Sequence, residues 1–126
     1  MKRMDLMLFG VVILVGASPA ILSSKTFRGE IMDTQCAKMG SHDVMMKKGG
    51  ARNTVECVRD CFKMGGKFVL YDANTKTAYQ LSDQKMPEQF AGQKVEITGT
   101  YDESANTIRV AGIERVVSPS LRNMRK

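Results

Sequence analysis

Tryptophan is absent from this 126-residue chain, and histidine occurs once. Three tyrosines and five phenylalanines complete its aromatic content. So few rings make a poor stacking platform for nucleobases, and a nucleic-acid partner is not expected. One histidine among ordinary surface carboxylates is a thin inventory for general acid–base catalysis. The redox spacing Cys-x-x-Cys does not occur, the acidic residues show no paired arrangement, and no oxyanion turn accompanies the cysteines. These absences argue for a non-catalytic protein. The one long apolar stretch falls short of the roughly 20 residues a membrane span needs. No cysteine follows it, which excludes a lipoprotein anchor.

That stretch lies at the start. Lys2 and Arg3 precede an apolar run over 6–15, and Gly16, Ala17, Ser18 and Ala20 follow it. Positive, apolar and small residues in that order are the layout of a secretory signal. Segment 1–20 therefore reads as a signal peptide cleaved after Ala20, and the protein as periplasmic or secreted. An uncleaved anchor reaching Leu22 is the alternative, and the only expected membrane attachment. The net charge of +6 suits anionic cell-envelope polymers or lipids. Charges of both signs are interspersed, so plain solubility explains it as well.

All three cysteines and the single histidine fall between Cys36 and Cys61, as Cys36-x5-His42-x14-Cys57-x3-Cys61. Three thiols and an imidazole are what a tetrahedral Zn(II) site of three cysteines and one histidine requires. Cys57 and Cys61 are four apart on an expected helix and share a face. Cys36 leaves a strand end, and His42 follows in a loop. The candidate metal ligands are thus Cys36, His42, Cys57 and Cys61. Asp33 is either a hydrogen-bond partner that orients His42 or a strand-end turn residue. Export favours a second chemistry: a disulfide from Cys36 to Cys57 or Cys61, leaving one thiol free for thiol redox. Met32, Met39, Met45, Met46 and Met64 lie in or beside the same window. Thioethers beside thiolates favour Cu(I), so copper handling is a further alternative; gap-filling in a small core is the plainer role.

Around this window the pattern is mainly β. Residues 26–33 alternate Phe27, Gly29 and Ile31 against Arg28 and Glu30. Segment 40–50 reads as a loop with a helical turn near 44–48. Asn53 or Thr54 caps a helix that runs to Met64, with Val55, Val58 and Phe62 as its apolar stripe, and Gly65-Gly66 ends it. Period-two strands follow at 67–71, 77–81, 94–101 and 107–117, with a short helix at 87–90 and a bulge near Gly112. Five strands in so small a domain suit a closed barrel of the OB type, since closure removes exposed edges. The expected organisation is an OB-like domain over 26–117, a Cys-bearing helical insert over 36–64 after the first strand, and a disordered basic tail over 118–126.

The chain also resembles a family of small exported bacterial proteins with an OB-like domain and no assigned activity. The resemblance rests on Gly-Glu-Ile-Met-Asp-Thr-Gln-Cys at 29–36, His42, Cys57-Val-Arg-Asp-Cys61, Gly65 or Gly66, and Val69-Leu70. Tyr79-Gln80-Leu81 and the run 91–99 extend it to about residues 27–116. It implies the fold and the Cys/His site, with no reaction. The expected function is an exported binding module for a metal ion or for an unidentified protein or cell-envelope partner. Intact-mass analysis of exported protein is expected to show a chain starting near Ile21; a membrane-bound form retaining Met1 would replace the signal with an anchor.

Overall fold

The computed structural model describes residues 23–117 and Gly16. The expected tail at 118–126 and, Gly16 apart, the expected signal at 1–20 lie outside the described residues. The elements run β1 (Lys25–Asp33), α1 (Thr34–Met39), α2 (Asp43–Gly49), α3 (Thr54–Lys63), β2 (Phe68–Asp72), β3 (Thr77–Leu81), a 3-10 turn (Met86–Phe90), β4 (Lys94–Asp102) and β5 (Thr107–Arg115).

The five strands close into a barrel in the order β1-β2-β3-β5-β4. The ring is uneven. β1 pairs with β4 over Lys25↔Gly99 to Glu30↔Lys94, then with β2 over Glu30↔Tyr71 to Asp33↔Phe68. The parallel β3–β5 seam holds only through Gln80↔Thr107 and Leu81↔Ile108. This is the OB-like barrel that the alternation predicts. The β4–β5 register shifts beside Thr98 and Gly99, where Ala111 falls between the partners Val110 and Gly112. The bulge therefore sits next to the expected Gly112, at the point where the inward set changes from Ile108 and Val110 to Ile113.

Odd and even positions of β1 and β2 serve different cores, because side chains alternate across a strand. Ile31, Phe68 and Leu70 point into the barrel with Leu81, Val95, Ile97 and Ile108. Val58 of α3 joins this cluster, so the helix plugs one end of the barrel. Phe62 of α3 stacks on Phe68 with ring centroids 4.1 Å apart. Met32, Val69 and Tyr71 face outward and are buried as well, beneath Cys36, Ala37 and Cys57 of the helical insert. At the other end of the barrel, Phe27, Tyr79 and Tyr101 pack as a tilted and edge-on aromatic trio.

Two local devices fix the insert on this frame. The Asn53 side chain accepts from the Glu56 amide at 3.0 Å and caps α3. Gly92, at φ +71°, lets the backbone before β4 lie against Thr54 at the start of α3; a Cβ there would stand 2.8 Å from the Thr54 carbonyl carbon. The Thr54 hydroxyl donates to the Gly92 carbonyl at 3.3 Å across this contact. Leu70 is fully buried at the centre of the barrel cluster. Leu70→Ala is expected to lower unfolding stability by about 2–5 kcal/mol, read as a fall in the urea midpoint; an unchanged midpoint would contradict this core.

Candidate metal centre

Cys36 sits in the first turn of α1, a six-residue helix in a stretch to which the sequence pattern assigns no element. Its ends carry the signals that would have revealed it. Asp33 is the N-cap and accepts from the Gln35 and Cys36 amides at 2.8 and 3.2 Å. Gly40 closes the helix in the left-handed region at φ 67°. Six residues are too few to display a 3.6-residue period, which is why the pattern missed it. The expected turn near 44–48 is α2, and His42 precedes it as its N-cap residue. Cys57 and Cys61 lie on the buried face of α3 with Val58 between them.

These elements bring the thiols and the imidazole into one buried place. The sulfurs of Cys36 and Cys57 are 3.7 Å apart. Cys36, His42 and Cys57 each offer a ligand atom, and these atoms lie within 4.8 Å of one another. Cys61 belongs to an overlapping group with Asp33 and Cys36, within the same 4.8 Å limit. All three cysteines are free thiols, and the 3.7 Å contact is far longer than the 2.05 Å of a disulfide.

His42 is only 7% exposed. Its Nε2 meets Glu30 Oε1 at 2.6 Å, while its Nδ1 is buried with no partner among the described residues. A carboxylate accepts and cannot donate, so Nε2–H donates to Glu30 and Nδ1 is not engaged by it. Glu30 therefore orients the ring. Asp33, the orienter weighed from the sequence, instead caps α1. The reason is the strand alternation: Glu30 shares the outward face of β1 with Met32, under the insert, whereas Asp33 ends the strand where the chain turns into the helix. Glu30 could have been found by placing the insert over the even-numbered face of β1.

Burial is the main electrostatic fact. It pushes the Cys36 thiol well above its ordinary range, and the neighbouring Asp33 and Cys57 push it further. The Cys61 thiol is pushed up to about 11, first by burial and then by the charge of Asp33. Neither is an activated nucleophile, which requires a lowered pKa and access. Of the methionines, Met32, Met45 and Met46 pack in the cluster around the cysteines. Met45 and Met64 also line a cavity of about 400 Å³ with Cys57, Cys61, Asp60 and Lys63.

No protein-family model matches this chain, and neither does any curated protein or solved structure. Among the described residues, no helix is long and apolar enough to cross a membrane.

In metal-free protein at pH 8, Cys36 and Cys61 are expected to alkylate with iodoacetamide much more slowly than an unfolded control, as peptide mapping would show. A fast-reacting thiol at either position would favour the thiol-redox alternative.

Proposed function

We propose that this protein is an exported metal-binding module. In it Cys36, His42, Cys57 and Cys61 hold one Zn(II), and the ion ties the helical insert to the barrel. The observation that carries this reading is the buried His42. Its ring is clamped through Nε2 by Glu30, its buried Nδ1 has no partner among the described residues, and the imidazole lies in a group with two thiols. A ligating histidine held from behind by a carboxylate is the usual support of a zinc site. The 3.7 Å sulfur separation also fits. It is close to the edge of a tetrahedron with Zn–S near 2.3 Å, about 3.8 Å. Zn(II) would supply the positive charge that lets buried thiols ionise, and its binding free energy would add to folding free energy. Cys61, which shares Cys36 with the second group, is the thiol for the fourth position. The signal-like segment 1–20 supports an exported setting.

Metal-free, reduced protein is expected to bind one equivalent of Zn(II) tightly and to melt at a higher temperature with it. Cys57→Ser should lower affinity and stability together. Glu30→Gln should weaken binding by about 10–100-fold while leaving the ligands in place. Absence of saturable binding, or a Cys57→Ser variant with unchanged affinity, would overturn the reading.

A second reading, Cu(I) handling, draws on the cavity where Met45 and Met64 meet Cys57 and Cys61. Thioethers prefer Cu(I) and contribute little to Zn(II). Replacing Met45 and Met64 by leucine should weaken Cu(I) binding and spare Zn(II) if this reading holds. Equal effects on both ions would reject it.

A further inference from the structure

We infer that Asp33 is itself a metal ligand, and that the cluster accepts a second cation bound by Asp33 and Cys61 and bridged to the first through the Cys36 thiolate. The inference rests on the reading of the cluster as a metal centre and adds a site to it. Two ligand groups exist, Cys36–His42–Cys57 and Asp33–Cys36–Cys61, and they share only Cys36. Thiolate sulfur has lone pairs enough to bind two soft or borderline ions at once, so a shared cysteine is a bridge and not a conflict.

Asp33 carries the second, independent observation. It is 0% exposed. Its Oδ1 is occupied by the Gln35 and Cys36 amides. Its Oδ2 is buried and has no hydrogen-bond partner among the described residues, and its carboxylate is grouped with the two sulfurs. An unpaired carboxylate oxygen in a protein core is costly, and a cation beside it would remove the cost. The cap does more than stabilise α1. By holding Oδ1 on the helix amides it fixes the carboxylate beside the cluster.

Charge points the same way. With all three thiols ionised by bound metal, they and the Asp33 carboxylate would carry four negative charges, and one divalent ion would leave two of them uncompensated in the core. Two divalent ions neutralise the set, with His42 as a neutral ligand. The ligand chemistry selects d10 ions that accept sulfur and oxygen together, Zn(II) and Cd(II). The first equivalent takes the four-ligand arrangement. The second draws Cys61 toward Asp33 and leaves Cys36 between the ions.

The test is titration of the reduced, metal-free full chain with Zn(II), counted by native mass spectrometry, and with 113Cd(II), observed by NMR. The expected result is two ions per chain and two 113Cd resonances coupled to each other through the bridging sulfur. Asp33→Asn keeps a good capping acceptor for α1 and removes the charged oxygen, so this variant should bind one ion. Wild-type protein that saturates at one ion, or an Asp33→Asn variant that keeps two, overturns the inference and leaves the single-ion site standing. No binding of either metal overturns both. If Asp33→Asn fails to fold, the wild-type spectrum decides: two coupled resonances support the bridge, and a single resonance rejects it.

Discussion

The ladder between β1 and β2, Glu30↔Tyr71 to Asp33↔Phe68, is the part on which the rest of the molecule depends. It belongs to two hydrophobic cores at once. Its inward residues, Ile31, Phe68 and Leu70, fill the barrel. Its outward residues, Met32, Val69 and Tyr71, form the floor beneath the helical insert. A strand buried on both faces cannot shift register by one residue without exchanging the two sets, so its register is strongly specified. Glu30 and Asp33 lie on this ladder, and they set the two edges of the thiol cluster. Rigidity of the barrel is thus passed to the candidate metal centre through one pair of strands.

The insert itself is poorly equipped to hold together. α1 and α2 have six and seven residues, far below the length at which isolated helices persist. Their burial partners include cysteine, methionine and alanine and no large aliphatic side chain of their own. At the centre of this thin core lie three thiols, a buried histidine and a fully buried aspartate. Polar groups in such a place are stabilising only when every one is satisfied. His42 Nδ1 and Asp33 Oδ2 lack partners among the described residues. A bound cation, as proposed, would give these atoms a partner.

Much of the architecture was legible because it rests on local rules. The alternation in β1, β4 and β5 and the capped helix from Asn53 are each written within a few neighbouring residues. The unfavourable crowding of cysteines and histidine in one window also marked the site. What was not legible depends on pairs distant along the chain. The clamp of Glu30 on His42 spans a strand and a helix. Gln84 completes the hydrogen bonding of Phe68, accepting from its amide at 2.8 Å and donating to its carbonyl at 3.0 Å. No periodicity signals such a contact. The role of Asp33 was open in the sequence because a residue that orients a histidine and a strand-end turn residue look alike until the helix that follows has been placed.

The sequence by itself determined the strands, the α3 helix, the OB-like closure and the residue types of the centre. Those follow from period, capping chemistry and the small size of the domain. Only the tertiary structure decided which side chains meet: Cys57 beside Cys36 and His42, and Cys61 beside Cys36 and Asp33. It also decided that Glu30 rather than Asp33 orients the imidazole. The physical reason is the alternation of side chains across β1. It sends Glu30 to the face the insert covers, and that covering becomes visible only when the helices are folded back onto the barrel.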